Sequence, residues 1–538
     1  MITENKKFKQ LVKKYFNSFV KKFPEYGSFL GLHKYDGRWS DESKKAYLEN
    51  IEFFKEYLKI FKKIKSEKLT EKEKLDKKII IHNLNIIIFY LEKLKMWESD
   101  PDIAEGIGSI LFVLLNRETI SSKRIISVIN KALEGIPSLF EQTKTRISKP
   151  YKLWTKMAMD SCEGLKLFLE NLKPLRVKKS LKNKFLKNID TAIEATEKYK
   201  NFLKEEVLPK SIDKCIIGKE NFKKLIKIRN LNLDKNEILK IGEKALRANK
   251  EELKEIAEEI NPNFTVKQVE EKIKKKHLKD FKEIIKQYKR IVTKARNFIL
   301  DHNLMEIPKN EKIIIKETPS FLIHTTPFAA YFCPPKFSKE QVGIYIITPP
   351  IKKGTLKKHN YTQIFNTSVH EAYPGHHLQF VWGFKNTSLV RTLADATEMV
   401  EGWAHYCEEY MRDVGFSNTN EIRFIQTLDE IWRAARIIID IKLHSGEISF
   451  NEAVNFLTKQ VNMEKDNAIA EVKRYTKSPS YQLSYLIGKY LIKKLKREIQ
   501  EKMGEKYSDK FFHEIILNAG SIPIKYLREE FNLKIRKI

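Results

Sequence analysis

Apolar residues recur at three- to four-residue intervals through residues 1–305, where glycine and proline are sparse. Two long stretches of this kind are SDESKKAYLENIEFFKEYLKIFKKI from Ser40 and EKALRANKEELKEIAEEI from Glu243. The spacing is typical of amphipathic α-helices, in which about 3.6 residues complete a turn and one stripe of side chains faces the core. The pattern predicts a helical N-terminal lobe over residues 1–305.

The pattern changes in residues 306–350, where short apolar runs are separated by proline and glycine. Such runs predict β-strands, because β-branched and aromatic side chains pack well on a pleated surface. Residues 351–538 return to helical periodicity. We therefore predict a mainly α protein with two helical lobes around a cleft and a small β-sheet lining it. The predicted strands are EKIIIKE at 311–317, FLIHTT at 321–326, AAYFCPP at 329–335 and GIYIITP at 343–349.

The composition is that of a soluble globular protein, with 42% hydrophobic and 32% charged residues in a chain of 538. The lysine-rich start has no apolar stretch of signal-peptide length. The longest apolar run, at 79–91, is interrupted by His and Asn and is shorter than the ~18–20 residues of a membrane span. We expect a cytoplasmic protein without a membrane partner. The four cysteines are scattered, which excludes a disulfide framework and a thiolate zinc site.

The formal net charge of +32 is high enough to attract nucleic acid through its phosphates. However, the lysines are interleaved with glutamates along helices, and no aromatic residues are arranged with them as a stacking platform. The chain also lacks helix-turn-helix, zinc-finger and Walker motifs. Nucleic-acid binding is therefore not expected. A non-catalytic, basic helical binding protein is kept as an alternative to an enzyme.

The most informative segment is HEAYPGHHLQ at 370–379. An imidazole followed by a carboxylate suits a metal-dependent hydrolase, with His370 as a ligand and Glu371 as the base that deprotonates water. In the usual HExxH motif the second histidine follows one helical turn later, but Pro374 occupies that position. A break at Pro374-Gly375 would bring the next turn back towards His370. The spacing leaves both His376 and His377 open as the second ligand.

A third ligand is available in EGWAHYCEEYMR at 401–412. Glu401, His405, Glu408 and Arg412 are spaced so that they fall within one stripe of a helix. The stripe by itself could be a solvated face. Together with the preceding histidines, it favours a His/His/Glu metal site.

A second polar stripe consists of Arg433, Arg436, Asp440 and His444 in an otherwise apolar helical segment. Charges in such a segment must be paired. One interpretation is a structural Arg–Asp pair between turns. The other is a positive wall that binds a carboxylate or a developing oxyanion.

Tyrosines mark a third segment, EVKRYTKSPSYQLSYLIG at 471–488. Ser478-Pro479 predicts a turn before a new helix. The phenols of Tyr475, Tyr481 and Tyr485 can stabilise a tetrahedral intermediate if they lie beside a metal, and otherwise they are ordinary packed aromatics.

The combination of these segments resembles the domain-of-unknown-function 885 family, whose members are similar in design to gluzincin zinc metallopeptidases such as neurolysin. Further segments that match the family are PEYGSFLGLHKYDGRWSD at 24–41, AAYFCPPKF at 329–337 and GIYIITPP at 343–350. The resemblance spans most of the chain. It also implies that GIYIITPP is an edge strand that holds the substrate backbone by strand addition, with simple packing under the helix of His370 as an equal alternative.

The resemblance implies that Zn²⁺ is bound by His370, His376 and Glu401, with Glu371 as the base. We therefore expect a zinc metallopeptidase, carboxypeptidase- or oligopeptidase-like, that hydrolyses short peptides. Further candidates for oxyanion or substrate-terminus contacts are Tyr481, Tyr485, His444 and Arg436. The predicted domains are a helical lobe over 1–305, a β-rich segment over 306–350 and a helical catalytic lobe over 351–538. A metal-dependent amidohydrolase or esterase acting on a non-peptide substrate is the second alternative.

Overall fold

The computed structural model describes residues 3–117, 122–323, 326, 328–349 and 355–535. It is mainly helical, as predicted, with one small sheet. The α-helices are Glu4–Lys22 (α1), Pro24–Phe29 (α2), Lys44–Lys63 (α3), Glu71–Ile88 (α4), Ala104–Leu115 (α5), Ser122–Lys144 (α6), Lys152–Glu170 (α7), Lys179–Phe202 (α8), Lys219–Arg229 (α9), Lys235–Ile260 (α10), Val266–Lys275 (α11), Phe281–Asp301 (α12), Tyr361–Glu371 (α13), His376–Lys385 (α14), Leu389–Thr392 (α15), Thr397–Asp413 (α16), Asn420–His444 (α17), Phe450–Gln460 (α18), Lys465–Lys477 (α19), Ser484–Met503 (α20), Asp509–Ala519 (α21) and Ile524–Ile535 (α22).

The helices begin at residues that cap them. Ser43 accepts a hydrogen bond from the backbone N–H of Ala46 at the start of α3. Asp234 and Glu237 form a reciprocal capping box at the start of α10. Such caps satisfy backbone donors that have no partner within the helix, typically worth about 1 kcal/mol each. The two helices predicted from Ser40 and Glu243 are thus confirmed, the second as part of the longer α10.

The chain divides into two compact units. Unit 1 comprises Met1–Cys215, Thr318–Thr326 and Pro334–Val342. Unit 2 comprises Ile216–Glu317, Pro327–Cys333 and Gly343–Ile538. The division after Cys215 differs from the limits of 305 and 350 expected from the periodicity, because α10 packs against α17 within unit 2. Hydrophobic periodicity marks helices but does not say which helices share a core.

A three-stranded sheet has the order β1-β3-β2, with β1 at Glu311–Glu317, β2 at Ala329–Phe332 and β3 at Gln341–Ile347. β2 and β3 are antiparallel, with Ala329 opposite Ile347 and Phe332 opposite Ile344. The strands predicted in EKIIIKE, AAYFCPP and GIYIITP are confirmed. The prediction that GIYIITPP is an edge strand is wrong, because β3 lies between the other two strands.

The predicted strand FLIHTT is also wrong over its first residues, which belong to a short 3-10 helix at Ser320–Leu322. Phe321 is completely buried there and contacts the rings of Phe112 and Phe168 at centroid distances of 6.5 and 5.2 Å. Packing in unit 1 therefore overrides the local strand preference. Residues 324, 325, 327 and 350 of the predicted β-rich segment lie outside the described residues.

The apolar faces of α17, α18 and α19 form a buried cluster in unit 2. Full burial of one such side chain stabilises the fold by about 1.5–3 kcal/mol. The cluster contains Ala435, Ile439, Leu443, Ala453, Val454, Leu457, Ala468, Val472 and Tyr475.

Within the described ranges, no helix combines the length and the hydropathy needed to cross a bilayer. All four cysteines are unpaired thiols.

Candidate metal centre

The helix that carries His370 is broken where the sequence predicts a break. α13 ends at Glu371, and α14 begins at His376 after a four-residue turn. Gly375 crosses so close to the end of α13 that an added Cβ would lie 1.8 Å from the carbonyl oxygen of His370. Its backbone N–H donates to the carbonyl oxygen of Val369 at 3.1 Å. Only glycine permits this approach, and the return of the chain places the first turn of α14 beside His370.

Three side chains converge as a result. The ring centroids of His370 and His376 are 4.8 Å apart. Glu401, on α16, presents Oε2 at 3.6 Å from His370 Nε2 and at 3.4 Å from His376 Nε2. All three side chains are buried. Each of them offers a ligand atom within 4.8 Å of the others, and they are the one such group found among the described His, Cys, Asp and Glu residues.

His377 is not part of this group. Its Nε2 is hydrogen-bonded to Glu311 Oε2 at 2.7 Å, and its Nδ1 to the Tyr331 hydroxyl at 2.7 Å. Because Glu311 is on β1 and Tyr331 on β2, His377 ties α14 to the sheet with both ring nitrogens occupied. Of the two histidines that the sequence leaves open, the structure brings His376 to His370 and Glu401.

The three ligand atoms have the spacing that a metal ion requires. Zinc-ligand bonds of about 2.0–2.2 Å place tetrahedral ligand atoms roughly 3.3 Å apart, close to the observed 3.4 and 3.6 Å. Glu401 Oε2 and His376 Nδ1 are buried and have no hydrogen-bond partner among the described residues. Burial would lower the pKa of His370, but Glu401 and Glu408 on either side raise it to about 10. Two ionised carboxylates that stabilise a positive charge on His370 this strongly would also stabilise a divalent cation at the same place.

A second layer of polar residues fixes the orientation of His370. Its Nδ1 donates to Glu408 Oε1 at 2.7 Å, on the side of the ring opposite Glu401. Glu408 also accepts from Arg433 Nη2 at 2.8 Å and from Asn366 Nδ2 at 2.9 Å. Burial alone would raise the pKa of Glu408, but Arg433 and the neighbouring histidines hold it well below its usual range. A carboxylate that orients a ligand histidine in this way is common in zinc sites.

Glu371 follows the first ligand at the very end of α13 and is buried. Burial raises the pKa of its carboxyl group, while His370 and His376 partly oppose the shift. A carboxylate with a raised pKa is a stronger base than an exposed one, which suits it to accept a proton near neutral pH.

Two tyrosines of the third segment contact the candidate metal ligands. The Tyr481 hydroxyl donates to Glu401 Oε1, and the Tyr485 ring stacks on His370 at a centroid distance of 6.3 Å. The predicted turn lies between α19 and α20 and is held by Asp440, which accepts from the backbone N–H groups of Ser480 at 3.0 Å and Leu483 at 3.3 Å.

The family model described as "Bacterial protein of unknown function (DUF885)" matches residues 24–531. The chain belongs to this family. No curated protein matches it at a significant level.

Two solved structures share the fold of this DUF885 chain. One is a candidate lipoprotein of unknown function from Shewanella oneidensis, with a TM-score of 0.76 and 20% identity over 98% of this chain and 99% of the other. The second is a candidate lipoprotein from Colwellia psychrerythraea, with a TM-score of 0.85 and 17% identity over the whole of both chains.

The four residues of the second polar stripe of the DUF885 chain contact several different partners. Arg433 pairs with Glu408, and Arg436 pairs with Glu471 at 3.1 Å. Asp440 does not pair with either arginine, because it binds the turn before α20, and the aspartate one turn from Arg433 is Asp429 at 3.6 Å. Burial raises the pKa of Asp440 to about 7.

His444 contacts none of the three ligands among the described residues. It is fully buried, its Nε2 lies 3.0 Å from the carbonyl oxygen of Tyr475, and its ring stacks on Phe222. His405 also stays outside the group, with Nδ1 at 3.6 Å from Glu408. The positions of both histidines indicate core packing.

No role was predicted from the sequence for three further residues that bind the polar residues around the site. Asn366 binds Glu408, and Glu471 binds Arg436 and Arg474. Arg474 and Glu471 are three residues apart within the matched segment EVKRY, so their pairing could have been predicted from helical spacing. Asn366 had no comparable signal, because its partner Glu408 is 42 residues away in the chain.

Proposed function

We propose that this protein is a zinc metallopeptidase of the gluzincin type that hydrolyses peptide bonds of short peptides. The observation that carries the proposal is the convergence of His370, His376 and Glu401, with Glu371 adjacent to the first ligand. The buried Glu408 behind His370 adds support, because such a carboxylate is typical of metal-ligating histidines. The same residues suit an amidohydrolase or esterase, from which substrate profiling would distinguish a peptidase.

Zinc, when bound by these three residues, supplies Lewis-acid polarisation of a carbonyl group and lowers the pKa of water. Glu371 accepts the proton of the attacking water and returns one to the leaving amine. Burial raises the pKa of Tyr481 and Tyr485, so both phenols keep their protons. Tyr481 donates its one hydroxyl proton to Glu401 and orients that ligand, whereas Tyr485 can donate to a developing oxyanion.

A peptide substrate is supported by the sheet. Among the described strands, β2 lies at one edge of the sheet and pairs with β3 alone. Its Tyr331 ring lies 6.5 Å from the ring of His376, which places this edge beside the candidate centre. An extended peptide can pair with such an edge, and β2 takes the role that the sequence assigned to GIYIITPP.

The direct test is the zinc content of the purified wild-type protein and of His370→Ala and Glu401→Ala. We expect about one zinc per wild-type chain and loss of zinc in both variants. Glu371→Gln should retain zinc and lose activity against a peptide library. Wild type that stays free of zinc after dialysis against it would refute the proposal and favour the non-catalytic, basic binding protein.

We infer a cytoplasmic location from the composition, in which 32% of the residues are charged. The description of two structural neighbours as candidate lipoproteins favours the alternative of attachment to a membrane. Cell fractionation of the untagged protein distinguishes the two locations.

A further inference from the structure

Two guanidinium groups share a single carboxylate where α17 meets α19. Arg436 Nη2 and Arg474 Nη2 donate to the same oxygen, Glu471 Oε2, at 3.1 and 2.9 Å. Arg436 and Glu471 are almost completely buried. Because arginine stays protonated at physiological pH, the three side chains carry one net positive charge. An uncompensated charge in such surroundings is costly, so an anion placed beside it is stabilised.

The remaining contacts of the pair are with neutral groups. Arg436 Nε donates to the Tyr475 hydroxyl at 3.0 Å, and its guanidinium carbon lies 4.0 Å from the ring centre of Trp432. The guanidinium carbon of Arg474 lies 5.6 Å from the ring centre of Tyr475. None of the described residues supplies a second carboxylate to either arginine. Nε and Nη1 of Arg474 make no hydrogen bond with them.

Arg433 also belongs to the stripe that the sequence offers for binding a carboxylate. Its positive charge, unlike that of the pair, is balanced by two carboxylates. Its Nη2 donates to Glu408 Oε1 at 2.8 Å, and its Nη1 lies 3.6 Å from Asp429 Oδ2. Two carboxylates thus surround one guanidinium. Arg433 belongs to the layer that orients His370, whereas Arg436 and Arg474 have charge left for an external anion.

The pair is separated from the candidate metal centre by one aromatic ring. The guanidinium carbon of Arg436 lies 4.6 Å from the ring centre of Tyr485, and the same ring stacks on His370 at 6.3 Å. The side chain of Arg474 is 27% exposed, so a solute can reach it. These two distances span about 11 Å, of which a charge-assisted contact takes ~2.8 Å and two extended peptide residues, at ~3.3–3.6 Å each, cover most of the rest.

We propose that Arg474, positioned by Glu471 and Arg436, binds the free C-terminal carboxylate of a short peptide. The carboxylate completes the charge balance of the pair, and the scissile bond then lies two residues upstream, at the candidate centre. The substrates are therefore peptides with a free C-terminus, from which the enzyme releases a dipeptide. This inference deepens the proposed function and rests on it for the bond that is cleaved, but not for the anion that is bound.

The test measures binding separately from cleavage. Zinc-loaded, full-length Glu371→Gln protein is titrated by calorimetry with trialanine, with trialanine amide and with an amidated Ala-Ala-Asp peptide. We expect trialanine to bind roughly 10- to 100-fold more tightly than its amide, the range of one charge-assisted contact. Equal affinities would overturn the inference. Tight binding of the amidated Asp peptide would overturn it as well, because the recognised carboxylate would then be that of a side chain.

Variants identify the residue responsible. In the same background, Arg474→Gln should abolish the preference for the free acid, and Arg474→Lys should retain part of it. Lys465→Gln removes one positive charge from an exposed position on the same helix and should leave the preference unchanged. An unchanged preference in Arg474→Gln, with an unchanged melting temperature, would overturn the assignment.

Hydrolysis by the wild type distinguishes the two proposals. If neither trialanine nor its amide is cleaved while the free acid binds more tightly, the peptidase proposal fails and the carboxylate site stands. If both are cleaved with equal kcat/KM and bind equally, the peptidase proposal stands and the carboxylate site fails.

Discussion

Gly402 on α16 and Gly488 on α20 are in backbone contact, since a Cβ added to Gly402 would lie 2.4 Å from the Cα of Gly488. The crossing puts Glu401 next to the helix that carries Tyr485. A Cβ on Gly488 would meet the carbonyl oxygen of Glu398 at 2.0 Å. Neither helix can move closer or accept a larger residue here, so the crossing fixes the distance between a ligand and its tyrosines.

Gly488→Ala should therefore separate the two helices. We expect a loss of about 1–3 kcal/mol in the free energy of unfolding and a lower zinc content. Thermal unfolding and elemental analysis measure the two effects. Gly106→Ala is the matched control, because Gly106 lies in α5 with nothing within 4 Å of an added Cβ. The control should be neutral or slightly stabilising, and an equal loss in both variants would contradict the role of the crossing.

Removal of the metal should destabilise the protein. If the folded state binds zinc and the unfolded state does not, zinc at a hundredfold excess over its Kd adds about 2.7 kcal/mol to the free energy of unfolding. We expect a chelator to lower the Tm of the wild type and to have no effect on His370→Ala. A wild-type Tm that is the same with zinc and with chelator would argue against a zinc site.

Glu408→Gln should weaken zinc binding without removing a ligand. The substitution takes a negative charge from behind His370, and changes of this kind cost about 10- to 100-fold in metal affinity. Competition with a chromogenic chelator measures the Kd. Glu409→Gln, on the same helix, loses its ion pair with Lys489 at 2.6 Å and should leave the zinc Kd unchanged. Equal Kd values for Glu408→Gln and the wild type would show that the hydrogen bond to His370 is unimportant.

Glu471 should make the stability of the metal-free protein dependent on acid pH. Burial would raise its pKa, but Arg474 and Arg436 lower it from 4.5 to about 2. The ionised form is thus favoured in the folded state, and the stabilisation is complete above pH 4.5 and lost as the pH falls through 2. The effect is on the order of 3 kcal/mol.

Urea unfolding of the wild type and Glu471→Gln between pH 3 and pH 7, both with chelator, tests this dependence. The difference in the free energy of unfolding should be largest at neutral pH and should shrink towards pH 3. A difference that is constant with pH would mean that Glu471 acts through packing alone.

The sequence by itself determined the local elements of this protein and the types of its candidate ligands. The periodicity from Ser40 identified α3, and EKIIIKE coincides with β1. The break at Pro374-Gly375 could also be predicted, because proline and glycine disturb the helical backbone at their own positions. Likewise, helical spacing placed Glu401 and Glu408 on one face of α16.

Only the tertiary structure decided which of these residues meet. His376 rather than His377 joins His370, because Glu311, 66 residues before His377, occupies the ring of the latter. Arg433 is paired with Glu408, whereas Arg436 and Arg474 share the single carboxylate of Glu471 among the described residues. The pairing of residues so far apart in the chain cannot be predicted from local spacing. Their pairing follows from the packing of α13, α16, α17 and α20, which depends on the shape and charge of the whole unit.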